Sequence, residues 1–122
     1  MEIENKVIVV TGGSGGIGQA LAVNFVREKA KIVIVIDINF DNFNSNDNNL
    51  ISKVCDVTDE IELTRIIDEI NDEFGLIDIF CSNAGILSLG NEQSPIEDWN
   101  KNWNLHVISH VFAAKKLIPE ML

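Results

Sequence analysis

The amino-acid sequence predicts an α/β fold, an open doubly wound parallel sheet with helices on both faces. Three observations carry this reading. Short runs rich in Val and Ile, within Lys6–Val10 and again at Lys31–Asp37, are almost continuously apolar, as strands buried on both faces must be. These runs alternate with segments whose apolar residues recur at helical spacing, and a β-α-β order implies right-handed crossovers within a parallel sheet. The residues suited to chemistry fall where strands end, which is where such sheets bind ligands.

Lys6–Val10 is the first strand, ended by the glycine cluster TGGSGGIG at Thr11–Gly18. From Ile17 to Lys29, the residues Leu21, Ala22, Phe25 and Val26 share one helical face. Lys31–Asp37 forms the second strand. Asn39–Asn49 holds six asparagines and two aspartates, which favour turns over helix, and reads as a surface loop. Leu50–Val54 is the third strand. Asp59–Phe74 is an amphipathic helix with Leu63, Ile66, Ile67, Ile70 and Phe74 in one stripe; Asp59 and Glu60 sit at its positive end and Gly75 stops it. Leu76–Ser82 is the fourth strand. After the loop Asn83–Gln93, Ser94-Pro95-Ile96-Glu97 combines a capping box with Pro at the first helical position. The helix it starts runs to about Ile118, with Pro119 marking its end. The length of 122 residues suits one domain, and no linker or internal repeat divides it.

Composition narrows the function. Nineteen acidic side chains against nine Lys and Arg give a formal net charge of −10, which nucleic acid and anionic membrane repel. No apolar run reaches the roughly 18 residues of a membrane span, and the start MEIENK lacks a signal peptide's pattern. Cys55 and Cys81 have no CxxC spacing and fit two ordinary thiols in a reducing cytoplasm. The 122 residues include no tyrosine.

The glycine turn is the first candidate site. Gly12, Ser14, Gly15, Gly16, Ile17 and Gly18 place a close-approaching backbone at a helix start, where free N–H groups and the helix dipole favour a pyrophosphate. Glycines also permit tight strand-to-helix packing, so a purely structural turn is the alternative. Asp37 ends the second strand nineteen residues past Gly18, where a carboxylate can accept hydrogen bonds from a ribose diol. In that role it repels a 2′-phosphate, and neither Ser14 nor Ile38 offers compensating charge, so NAD is expected over NADP.

With these residues in view, the chain resembles the short-chain dehydrogenase/reductase family, whose fold is a Rossmann-type doubly wound sheet. TGGSGGIG fits the family's TGxxxGxG pattern through Thr11, Gly12, Gly16 and Gly18, and also fits the extended-branch spacing through Gly15. Cys55-Asp56-Val57-Thr58 looks like the strand-end DV, and the resemblance implies adenine contacts for Asp56 and Val57. Asn83-Ala84-Gly85 is similar to the NAG signature of the compact branch. Each has a plainer reading: Asp56 orients the following helix, Asn83 stabilises a turn, and Gly85 serves only a positive φ. The match spans the chain but only the cofactor-binding half of a typical member. Residues 1–122 therefore read as one NAD(P)-binding domain, truncated after the fourth strand and its following helix.

The last helix departs from the family pattern. Members carry an asparagine there that completes an Asn-Ser-Tyr-Lys set. Matching Trp103, His110 and Pro119 to the family helix puts His106 at that position. Asn104, about 200° around the helix, is the alternative. His106 can still donate to a water or backbone carbonyl, with a titrating proton. His106 and His110 have metal-clip spacing, but no third ligand is evident, and no metal is expected. The serine, tyrosine and lysine of the set have no counterpart here, so the chain alone is expected to be inactive.

The resemblance implies an NAD-dependent oxidoreductase that, in the complete protein, passes hydride between nicotinamide and a small alcohol or carbonyl substrate. A catalytically inactive dinucleotide-binding module or subunit is the rival reading, and a domain for another adenosine-containing ligand is a third. An apolar open edge at the fourth strand, around Ile77, Ile79 and Phe80, points to a homo-oligomer.

Overall fold

Alternation within the strands decides which helix packs where. The structure, a computed structural model, describes residues 1–41, 43–45 and 47–122. Its sheet is parallel, in the order β3-β2-β1-β4, from β1 (Val7–Thr11), β2 (Ile32–Asp37), β3 (Leu50–Val54) and β4 (Ile79–Cys81). Val7, Val9, Ile34 and Ile36 point to one face, and there meet Leu63, Ile66, Ile67 and Ile70 of α2 (Glu60–Phe74). The same cluster takes in Ala113 and Leu117 of α4 (Ser109–Met121). Ile8, Val10, Val33 and Val35 point to the other face, against Ala22 and its neighbours on α1 (Gly16–Arg27). β1 and β2 are thus buried on both sides, which is why their sequences show no polar alternation.

Local sequence explains the boundaries. Asp59 caps α2, its carboxylate accepting from the Glu62 N–H at 3.0 Å, and Gly75 leaves the helix at φ +101°. α3 (Ile96–Trp103) is arranged differently from the capping-box reading. Pro95 takes the cap position rather than the first helical one, and the Ser94 hydroxyl accepts from the Asn91 N–H at 3.1 Å, within the loop. Nor is the last helix one uninterrupted α-helix to Ile118. A π-helical turn at Asn104–Ile108 joins α3 to α4, and α4 runs through Pro119 to Met121. Pro119 lies inside this helix and has no N–H to donate back to the Lys115 carbonyl.

β4 is shorter than the apolar run Leu76–Ser82. Asn71 Oδ1 accepts from the Ile77 N–H, and Asp78 donates its N–H to the Val7 carbonyl at 2.9 Å while its carboxylate accepts from the Val7 N–H at 2.8 Å, so side-chain bonds stand beside a single backbone bond at its start. Ile77 is buried in the core rather than lying on the edge. Ile79 and Phe80 are half-buried, and β4 is an edge strand among the described residues. In the Asn-rich loop, Phe40 and Phe43 stack edge to face at 5.2 Å and pack beside the α1 core; Asn42 and Asn46 lie outside the described residues.

Candidate functional site

The carboxyl ends of β1, β2, β3 and β4 open into one cleft of about 910 Å³, roofed on one side by α3 and the π-helical turn. The glycine turn forms its floor. Gly12 has φ +65°, and a Cβ there would stand 2.8 Å from the Ala84 Cα, so the turn needs glycine for both conformation and space. Gly15 and Gly16, together with Ser14 and Ile17, line the cleft, and a Cβ at either glycine would meet nothing within 4 Å. The first turn of α1 has no side-chain cap and no acidic residue, leaving its N-terminal N–H groups to face the cleft. Gly18 is not on the wall. A Cβ there would lie 2.2 Å from the Gly12 carbonyl oxygen and 2.7 Å from Asn83 Nδ2, so its role is close packing of helix on strand.

Asp37 fastens this turn to β2. Its Oδ2 accepts from the Ser14 hydroxyl at 2.6 Å and the Ser14 N–H at 3.1 Å, while Oδ1 accepts from the Ile38 N–H at 2.8 Å. Ile38 is exposed on the rim. At the end of β3, Asp56 Oδ1 accepts from the Thr58 N–H and hydroxyl at 2.9 and 2.7 Å, a local turn that leads into α2. Val57 is part wall and part core. Cys55 precedes them on the same wall, and burial, then the Glu62 and Asp56 carboxylates, pushes its thiol up to about 12. It is an inert wall at neutral pH.

The β1 and β4 ends are laced together. The buried Thr11 hydroxyl accepts the N–H groups of Asn83 and Ala84 at 2.9 and 3.0 Å, and Asn83 Nδ2 donates to the Thr11 carbonyl at 3.2 Å. The turn-stabilising reading of Asn83 matches this geometry. Gly85 needs a different explanation from positive φ, which it does not have. A Cβ there would fall 2.9 Å from His106 Cε1, so it is the imidazole that occupies the space.

His106 sits on the cleft wall with Nε2 3.0 Å from the Ile86 carbonyl oxygen and 3.4 Å from its N–H. The shorter approach assigns Nε2–H as donor to the carbonyl, leaving Nδ1 an acceptor. Asn104 is exposed and off the cleft. His110 turns to a separate partner, the Ser82 hydroxyl, so the two histidines share no ligand. Among the described residues no cluster of three metal-binding side chains occurs.

The cleft thus gathers Gly12, Ser14, Gly15, Gly16, Ile17, Asp37, Ile38, Asp56, Val57, Asn83, Ala84, Gly85 and His106 and leaves out Gly18 and Asn104. Sequence reasoning missed Ile36, Cys55, Thr58, Ile86, Lys101 and Leu105 on its wall. Thr58 and Ile86 immediately follow motifs that were recognised. Lys101 and Leu105 are one helical turn apart, but neither lies three or four residues from His106, and the π-helical turn at Asn104–Ile108 gave no signal that would have joined them to it.

A parallel doubly wound sheet with an uncapped glycine-rich helix start and an acidic residue ending β2 is the architecture of a nucleotide-binding α/β protein. The family model described as short chain dehydrogenase matches residues 6–122, and the chain belongs to that family of oxidoreductases. It is 29% identical, over its whole length, to both the 1-deoxy-11-beta-hydroxypentalenate dehydrogenase of Streptomyces exfoliatus and the meso-2,3-butanediol dehydrogenase of Serratia marcescens. It covers 48% of the first and 51% of the second. Among solved structures, the ligand-free aldohexose dehydrogenase of Thermoplasma acidophilum superimposes with a TM-score of 0.87 at 33% identity, over 98% of this chain and 45% of that one. The chain therefore spans about half the length of the relatives it matches.

Proposed function

We propose that this chain is the cofactor-binding half of an NAD-dependent short-chain oxidoreductase, acting on a small alcohol or carbonyl substrate. The observation that carries the reading is the continuity of one cleft from the open space at Gly15 and Gly16, past Asp37, to His106. The residues fit a dinucleotide. The uncapped start of α1 offers N–H groups to a pyrophosphate in a space that a side chain at Gly15 would fill. Asp37 would exchange its Ser14 contacts for the hydroxyls of a ribose, while Val57, Ala84 and Leu105 supply apolar wall for an adenine. When bound, the nicotinamide supplies or accepts hydride. His106, its ring held by the Ile86 carbonyl, keeps Nδ1 as a hydrogen-bond acceptor beside Gly85.

The family's serine, tyrosine and lysine have no counterpart among these residues, and the 122-residue chain is expected to turn over nothing by itself. Two unpaired thiols are in keeping with a cytoplasmic setting, and the apolar β4 edge with self-association. Cofactor choice is the direct test. Calorimetric titration should give tighter binding for NAD than for NADP, because a 2′-phosphate meets the Asp37 carboxylate. Asp37→Ala should narrow the gap, and equal or better NADP affinity in the unmodified protein would sink the assignment.

A further inference from the structure

The nine cations of this acidic chain are unevenly placed. Lys6, Arg27, Lys29 and Lys31 flank the starts of β1 and β2 or the C-terminal end of α1, at the opposite end of the sheet from the cleft. Lys53, Arg65, Lys115 and Lys116 are each paired with a carboxylate of α2. Lys101 alone lines the cleft, exposed on α3 one turn before Leu105, and it makes no ion pair among the described residues. The carboxylates that share this lining are Asp37 and Asp56.

From this placement we infer that Lys101 is a binding residue for the anionic phosphates of the dinucleotide, a step that rests on the cofactor reading above. A pyrophosphate carries two negative charges toward a protein of net charge −10, past two rim carboxylates. The helix dipole at Gly16 acts only within its first turn. An unpaired ammonium lining the same cleft offsets the repulsion during approach and in the complex. A paired lysine would have to give up a carboxylate first, and none of the other eight cations lies on this cleft. The His106 Nε2–H is already held by the Ile86 carbonyl.

The experiment is calorimetric titration of the purified protein with NAD, ADP and uncharged adenosine, each at several salt concentrations, for the unmodified chain, Lys101→Met and Lys101→Glu. Methionine keeps the apolar stem and removes only charge. Lys101→Met should weaken NAD and ADP about fivefold at low salt, the range of an exposed ion pair, and Lys101→Glu about 25-fold. Both losses should shrink with added salt, while adenosine binding stays unchanged. Unaltered NAD and ADP affinity in both variants would overturn the role of Lys101 and leave the cofactor reading intact. An equal loss for adenosine would overturn it too, by making the effect one of packing. Failure of the unmodified protein to bind NAD or ADP would refute the cofactor reading, and the Lys101 assignment with it.

Discussion

Gly15 and Gly18 are three residues apart in one motif, yet the structure gives them opposite duties that alanine can separate. A Cβ at Gly18 would lie 2.2 Å from the Gly12 carbonyl oxygen and 2.7 Å from Asn83 Nδ2. Ordinary contact needs more than 3.4 Å, so α1 must retreat by about 1 Å from β1 or the Gly12 carbonyl must turn, and the Asn83 amide loses its hold on Thr11. Overpacking of this kind costs about 1–3 kcal/mol, and the lost amide bonds about 1 kcal/mol more. At roughly 3–5 °C per kcal/mol for a domain of this size, Gly18→Ala should lower Tm by about 10 °C or more. Gly15 has an extended φ of −165°, which any residue adopts, and open space at its Cβ. Gly15→Ala should leave Tm within about 2 °C and instead weaken NAD, because its methyl occupies the space at the helix start. Thermal unfolding by circular dichroism reads the first effect and calorimetry the second. A Gly18→Ala variant with unchanged Tm would refute the packing argument, and unaltered NAD affinity in Gly15→Ala would refute the placing of the pyrophosphate.

The Cys55 thiol, raised to about 12 chiefly by burial, should resist Ellman's reagent at pH 8 in the native protein and react on unfolding. The same shift has a sign for stability: the unfolded chain ionises this thiol from about pH 9, so stability falls as pH rises from there toward 12. Cys55→Ala should flatten that alkaline decline, measured as Tm against pH; an unchanged slope would assign it elsewhere. Self-association is expected through the β4 edge and the exposed Trp99, Trp103 and Val111 of α3 and α4. The net charge of −10 opposes it only over a Debye length of about 8 Å at physiological salt. Light scattering at low concentration should report dimers or larger species, and a monodisperse monomer would count against an open edge.

The parallel sheet was legible because β1 and β2 are buried on both faces, a condition that leaves a run of Val and Ile with no polar alternation. The α2 stripe was equally plain, since one face packs and the other is charged. The last helix was not. A π-helical turn carries no sequence signature separable from α-helix, and Pro119 reads as a stop although the helix continues through it to Met121. Most cleft residues were readable because strand ends and glycine turns announce themselves locally. The roles within the motif were less so: Gly18 packs rather than lines, and Gly85 yields to an imidazole twenty-one residues later in the chain, a contact that only the fold creates.

The Thr11 hydroxyl sets a dimension. By holding the Asn83 and Ala84 amides, one buried oxygen locks the spacing between the turn that follows β1 and the turn that follows β4. Both turns belong to the cleft wall, so its span across this part of the sheet is fixed when the chain folds, like the gap of a calliper with its screw tightened. A ligand arriving there finds a gauge already set, and the ordering that binding must impose falls to the segments outside the lacing.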